Sequence, residues 1–497
     1  MSIHQLADLL SGVPHRLLAG TTHCQVQRVI ADSRQVVPGA LFVALRGLQA
    51  DGHCFLDEAL QRGATSLLVE APTPELLYRV QQEGQTLVQV EQSSKALGML
   101  ASAYYGRPSR HLKLIGVTGT NGKTTTTYVV ESILQAAGRQ LGVVGTINYR
   151  FAQQCLDAPQ TTPDALYLQE LLQRMLDAGV TDAVMEVSSH ALSQDRVAGC
   201  DFEICVFTNL SRDHYDYHGT EEAYFAAKAR LFQDFPARWH VLNLDDPYGQ
   251  RLVHESKERL LTYGLTTEAT LKPLTVQHGL EGISLILPTT KGHLDIHSPL
   301  IGRHNVYNLL AGIAVAIALD IDAEAIVGGI AQLRQVPGRL ERIDAGQGFY
   351  VFVDYAHTPS ALEQVLCMVQ AETQGRLIAV FGCGGDRDPG KRPIMGRAAT
   401  AHSDYTIITS DNPRTEDPCR IIADIVAGID SSDDYTTIVD RRRAIVEAVS
   451  MAQPQDTVVI AGKGHEDYQI IGQTRLRFDD REVVRQALGG IRGTSSC

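Results

Sequence analysis

Apolar positions along this chain fall into short runs separated by helical patterns. In residues 1–92 the runs "ALFVAL", "TSLLVE" and "TLVQV" have strand length, while "FLDEALQRG" spaces its apolar residues as a helix face does. Residues 93–335 continue the rhythm through "LKLIGVTG", "LGVVGTI", "DAVMEV" and "ICVFTNL", with helical stretches such as "DALYLQELLQRMLDAG" between them. That alternation predicts a parallel sheet covered by helices. From about 260 to 300 the pattern becomes strand-rich, which predicts an antiparallel insertion. "VPGRLE" carries the Pro-Gly signature of a hinge. A third α/β unit, 336–497, follows with strands at "FYVFVDY", "RLIAVFG", "DYTIITS" and "DTVVIAG". The expectation is an α/β chain of three domains, with boundaries at 1–92, 93–335 and 336–497.

Composition narrows the class. The 497 residues carry a formal net charge of −13, which argues against a sequence-independent grip on nucleic acid. A local phosphate site remains compatible with an acidic protein. Nine cysteines are dispersed with no C-x-x-C pair, as expected for a reduced, cytoplasmic chain. The N-terminus lacks the pattern of a signal peptide, and no apolar stretch is long enough to span a membrane.

The strongest local signal is "LKLIGVTGTNGKTTTTYVVESIL". A strand feeding a glycine-rich turn that opens a helix presents backbone N–H groups and a helix N-terminus to phosphate. Gly116, Gly119 and Gly122 are expected to allow close backbone approach. Lys123 is placed to reach the β- and γ-phosphates, and Thr124 to offer its hydroxyl to Mg²⁺. The spacing departs from the strict G-x-x-x-x-G-K-[ST]: five residues separate Gly116 from Gly122, and Val117 stands where the strict motif has glycine.

At "GVTGTNGKTTT" the chain resembles the Mur ligases, which use ATP to join amino acids to the peptidoglycan precursor. "TTPDAL", "MEVSSHAL", "FTNLSRDHYDYHG", "GRHNVYN", "PGRLERI", "DYAHTP", "GCGGDRDPGKRPIMG" and "AGKGHEDYQ" follow in the family's order through the whole chain. The resemblance implies a central P-loop ATPase domain between an N-terminal UDP-binding domain and a C-terminal Rossmann-like domain. The family reaction phosphorylates a carboxylate with ATP, and an incoming amine then attacks the acyl phosphate. Charge neutralisation and alignment of the two reactants are its physical demands.

On this resemblance Gly119, Thr120, Asn121, Gly122, Lys123, Thr124 and Thr125 bind ATP. Asn308 is implied on the adenine side, although at a helix start it equally suits a cap. Arg339 and Asp354 are implied as nucleotide contacts from the third domain, in a cleft that domain closure completes. An ion pair between Arg339 and Glu341 is the plain alternative. Thr124, Glu186, His214 and Lys228 are implied around Mg²⁺, with Lys123, Glu186, His214 and Lys228 as the catalytic set. Glu186 alone would also suit a helix cap. The family's lysine matching Lys228 carries a carbamate derived from CO₂, which requires a neutral amine and hence a depressed pKa.

The implied precursor is UDP-MurNAc-L-Ala-D-Glu. Ser33, Gln49 and Ala50 match its uridine side, and Thr161, Thr162, Ser188, Gln194 and Arg196 its muramoyl-dipeptide side. Leu48 stands where relatives often carry histidine. "TTPD" also reads as a helix N-cap followed by proline. "DNPR" with "GKGHEDYQ" resembles the members that add meso-diaminopimelate. Arg387, Asp411, Asn412, Pro413, Arg414, Gly462 and Glu466 match that amino-acid pocket, with Arg414 on the distal carboxylate and Glu466 near the distal ammonium. "DNPR" is equally a natural turn. A lysine-adding relative, a folylpolyglutamate synthetase and a P-loop ATPase switch are the competing readings. The expected state is a cytoplasmic monomer.

Overall fold

The computed structural model describes residues 3–47, 50–266 and 268–494. The chain is mixed α/β and divides into two compact units. One comprises 1–272 with 307–329, the other 273–306 with 330–497.

The first unit holds two main sheets, besides the short antiparallel pair His4–Gln5 and Gln25–Val26. Strands Arg28–Ile30, Ala40–Val43, Ser66–Val69 and Thr86–Gln89 run parallel, and Arg16–Ala19 adds antiparallel at one edge. Ala40–Val43 and Ser66–Val69 are buried throughout. Their unbroken apolar runs suit strands covered on both faces. The eight-stranded sheet has Lys113–Thr118 near its middle, flanked by Asp182–Glu186 and Ile204–Phe207, both parallel to it. The chain passes from Lys113–Thr118 to one side and later returns to the other. That reversal makes a crevice at the carboxyl ends of the three strands, where α/β sheets bind ligands. Two antiparallel strands, Asn148–Phe151 and Gln154–Asp157, finish one edge.

The second unit has a three-stranded antiparallel sheet, Thr275–Gly279, Gly282–Thr289 and Gly292–Ser298. Its main sheet has six strands in the order Glu341–Arg342, Tyr350–Asp354, Thr457–Ala461, Leu377–Phe381, Tyr405–Ile408 and Tyr435–Thr437. All pairs are parallel except the first. Thr457–Ala461 and Leu377–Phe381 are buried at every position. Parallel strands send their following loops to one edge, so residues after Asp354, Phe381, Ile408 and Ala461 gather there. The "VPGRLE" turn is tied into this unit: Leu340 N–H donates to Asp354 at 2.7 Å, and Tyr355 N–H to the Gly338 carbonyl at 2.9 Å.

Candidate active site

The phosphate loop follows Lys113–Thr118 and opens the helix Lys123–Ala136. Gly119 has φ +146°, and a Cβ there would lie 1.9 Å from the Thr208 hydroxyl. Gly122 has φ +86°, with the Asn308 Oδ1 2.3 Å from where a Cβ would sit. Both positions demand glycine on steric grounds. Gly116 differs from the expectation. It lies within the strand, and its missing Cβ makes room for the Phe202 ring at 2.7 Å, so it serves the core and not a phosphate.

Two lysines converge on one carbonyl. Lys123 Nζ donates to the Gly119 and Thr120 carbonyls, each at 2.9 Å. Lys228, on the helix Glu221–Gln233, donates to the same Gly119 oxygen at 2.8 Å. Lys228 is completely buried over the Tyr224 ring. Burial first, and then the charge of Lys123, push its amine well below the usual lysine range. His214 lies near both lysines, and burial is the main cause that lowers its pKa. Its backbone is left-handed, with φ +54°, and its ring stands edge-on to His190. His190 is pushed down to about 4, chiefly by burial.

Glu186 ends the strand beside the phosphate loop and is buried. Thr124 donates its hydroxyl to Oε2 at 3.0 Å, and Thr146 donates its hydroxyl at 2.9 Å and its backbone N–H at 2.8 Å. The cap reading is therefore corrected: Ser188, not Glu186, caps the next helix, accepting from Ala191 N–H. Thr120 and Asn121 are held by the adjacent loop, through Thr120 N–H to the Asn209 carbonyl at 2.8 Å and Asn121 N–H to Asn209 Oδ1 at 3.0 Å. Thr125 is buried on the helix. Asn308 sits inside the helix Arg303–Ala318, beyond its first turn, which overturns the cap alternative.

Thr162, Ser188, Gln194 and Arg196 form one network in the same unit. Arg196 donates to Gln194 Oε1 at 2.7 and 3.0 Å and to the Thr162 carbonyl at 2.9 Å. Thr162 accepts from Ser188 N–H at 3.0 Å and donates to the Glu186 carbonyl at 2.9 Å. Thr161 meets Thr146 at 3.1 Å. "TTPD" does not cap through its threonines: Asp164 is the cap, accepting from Tyr167 N–H at 3.0 Å. Ser33 is buried and donates to Glu58 at 2.7 Å. Ala50 is exposed, and its carbonyl accepts from Gly47 N–H at 3.0 Å. Gln49 and Leu48 lie outside the described residues.

In the second unit the loops at the sheet's carboxyl edge bring the amino-acid candidates together. Arg414, φ +52°, donates to the Gly385 carbonyl at 2.7 Å, while its own N–H bonds the Ile470 carbonyl at 3.0 Å. Asp411, Asn412 and Pro413 are buried. Gly462, φ +117°, leaves 2.8 Å between a built Cβ and Asp411 Oδ2, so the two loops touch there. Asn412 donates to Glu466 at 2.9 Å. Arg387 is exposed and donates to the Asp386 carbonyl at 3.3 Å. Asp354 is buried, accepts from Leu340 and Ala356 N–H groups, and burial raises its pKa. Arg339 lies over the Tyr355 ring at 5.0 Å, while Glu341 accepts from Gly338 N–H and pairs with Arg481 at 3.5 Å.

Residue patterns did not single out Thr146, Lys463, or the pair Arg441–Asp480. The last is fully buried, with guanidinium–carboxylate distances of 2.7 and 2.8 Å. Arg441 also donates to the Ser410 and Ala461 carbonyls, at the roots of the "DNPR" and "GKGHE" loops. A strand-and-loop sequence carries no signal for such a partner, because it comes from two distant helices.

Family models match in three consecutive stretches. They are the Mur ligase family, catalytic domain at residues 25–105, the Mur ligase middle domain at 117–316 and the Mur ligase, glutamate ligase domain at 338–464. A Geobacter metallireducens protein named UDP-N-acetylmuramoyl-L-alanyl-D-glutamate–2,6-diaminopimelate ligase is 45% identical, covering 97% of this chain and 98% of that one. The chain belongs to the Mur ligase family. Its activity class is therefore that of an ATP-dependent, amide-forming ligase. A Gloeobacter violaceus protein of the same name is 47% identical over 95% of this chain and 97% of its own. A solved structure of a ligase with that name aligns with TM-score 0.70 and 38% identity, covering 94% of this chain and 95% of the other. The Thermotoga maritima MurF ligase in complex with ADP shares the fold at TM-score 0.60 and 18% identity.

Proposed function

We propose that this ligase adds meso-diaminopimelate to UDP-MurNAc-L-Ala-D-Glu through an acyl phosphate. The observation that carries the reading is the loop cluster of the C-terminal sheet, where Arg414, Asp411, Asn412 and Glu466 share one edge with Gly462. A guanidinium beside carboxylates suits an amino acid bearing both an ammonium and a distal carboxylate. The relatives' names and the full-length identity support the same substrates.

In this reading Gly119 to Thr125 hold the ATP phosphates, and Lys123 swings from its own loop's carbonyls to the γ-phosphate. Asn308, Arg339 and Asp354 hold the rest of the nucleotide. Arg196, Gln194, Ser188, Thr162 and Thr161 hold the precursor's acyl end, and Ser33, Gln49 and Ala50 its uridine end. Arg414 receives the distal carboxylate and Glu466 lies near the distal ammonium, with Arg387 in the same amino-acid pocket. The three domains at 1–92, 93–335 and 336–497 divide these tasks.

The Thr124 hydroxyl and Glu186 carboxylate, 3.0 Å apart, are hard oxygen donors that fit Mg²⁺, and in this reading His214 and a carbamylated Lys228 would complete the site. Bound there, the ion would neutralise phosphate charge. Lys228 meets the condition for carbamylation, since its buried amine favours the neutral form. Addition of that amine to CO₂ with loss of one proton makes an anion, which turns repulsion by Lys123 into attraction. The chain is read as a cytoplasmic monomer; among the described residues no helix is long and apolar enough to cross a membrane.

The test is phosphate release with ATP, the UDP-dipeptide and a panel of amino acids, with products identified by mass spectrometry. The expected product carries meso-diaminopimelate. Equal use of lysine would remove the specificity claim.

A further inference from the structure

Lys463 is buried with none of its side chain exposed, beneath the loops read above as the amino-acid pocket. Its ammonium donates to Glu466 Oε2 at 3.0 Å and to Asn412 Oδ1 at 3.2 Å. It also lies 5.3 Å from the centre of the Tyr468 ring. Asn412 closes the triangle by donating Nδ2 to the same Glu466 oxygen at 2.9 Å, and its Oδ1 accepts from Ile470 N–H at 3.0 Å. The amide is thus held in one orientation from both ends.

The consequence is specific to one oxygen. Glu466 Oε2 takes both donors, and its side chain keeps 17% exposure. Oε1 is therefore the atom available to an incoming ammonium. A carboxylate on a three-torsion side chain would otherwise sample many poses, at a cost in binding entropy. Lys463 also supplies the counter-charge that offsets the partial desolvation of the Glu466 carboxylate. Its own charge opposes an ammonium ligand, so the arrangement trades raw attraction for a fixed direction.

We infer that Lys463 is a positioning residue for the incoming amino acid, aiming Glu466 and Asn412 without touching the reacting atoms. This rests on the reading of the loop cluster as the amine pocket. The "DNPR" and "GKGHE" loops then recognise their ligand through Glu466 Oε1 and the Arg414 guanidinium, and Lys463 sets the first of these.

The test compares two nucleophiles on the full-length enzyme. Meso-diaminopimelate needs the pocket; hydroxylamine intercepts an acyl phosphate as a small nucleophile and leaves a hydroxamate. Lys463→Met is expected to raise the KM for meso-diaminopimelate about tenfold or more, with a much smaller fall in hydroxamate yield. Lys463→Arg, which keeps the charge, should recover part of that loss. The double variant Lys463→Met/Glu466→Gln should bind the amino acid no worse than Glu466→Gln alone, because the lysine acts through that carboxylate. An unchanged KM, a parallel fall in hydroxamate yield, or additive losses in the double variant would each overturn the inference. Should Lys463→Met not fold, Lys463→Gln and Lys463→Arg carry the same comparison. If wild-type enzyme makes hydroxamate but ignores meso-diaminopimelate, the substrate reading alone fails. Lys463 is then judged by the same series with the amino acid that the wild type accepts.

Discussion

Among the described residues two lysines, Lys228 and Lys463, are completely buried, and their surroundings are opposite. Lys228, beside the phosphate loop, donates to a backbone carbonyl and faces a second lysine. Lys463, beneath the loop cluster of the C-terminal sheet, donates to a carboxylate and an amide. A buried ammonium with a carboxylate partner is held in place by charge. One that donates to a carbonyl, next to another cation, is pushed by burial toward its neutral and nucleophilic form. On the proposed reading the same residue type serves as a reactive amine in one unit and as a fixed strut in the other.

The contrast breaks most sharply at Lys228. Lys228→Ala should lower turnover by about 10³-fold or more, and added short carboxylates should restore part of it. Full activity of that variant would remove the carbamate proposal. In the other unit, Arg441→Leu strands the buried Asp480 and should cost about 3–5 kcal/mol of stability by denaturant titration. It should also loosen both pocket loops, because Arg441 binds the carbonyls at their roots. Arg414→Ala should raise the KM for meso-diaminopimelate about 10- to 100-fold and narrow its margin over lysine, measured by competition. A margin that stays intact would free Arg414 from its assigned role.

A pH experiment sharpens the same comparison. The folded state holds fewer protons than the unfolded one between the depressed pKa of Lys228 and the ordinary 10.5. Stability therefore rises with pH across that window, by the linkage of proton binding to folding. Lys228→Met should flatten that rise in chemical denaturation curves, with no such flattening for Ser33→Ala. The smallest effect is expected at Ser33 itself, where losing the 2.7 Å bond to Glu58 should cost about 1 kcal/mol.

Legibility in the sequence followed local rules. "GVTGTNGKTTT" announces a phosphate loop because strand, glycine turn and helix are contiguous. Gly119 and Gly122 meet that expectation sterically, while Gly116 belongs to the core because Phe202 packs where its side chain would be. Thr161 and Thr162 read as a cap because cap residues are recognised by type, yet Asp164 has the right position and conformation. Glu186 and Asn308 were open between cap and site for the same reason. Thr124 and Thr146, which bond the one, and Gly122, which lies against the other, are 40 or more residues away in the chain.

The sequence by itself determined the α/β alternation, the phosphate loop and the family, since hydrophobic period and ordered motifs are local or collinear properties. It placed glycines at 119 and 122, and packing against Thr208 and Asn308 is what makes them necessary. The tertiary structure decided which charges are paired. Lys228 and Lys463 look alike as letters on a helix and in a loop. Only parallel-strand packing, which brings distant loops to one edge and excludes water, gives one a carbonyl and a neighbouring cation and the other a carboxylate. Desolvation and partner identity then set their chemistry, and neither is a property of the chain before it folds.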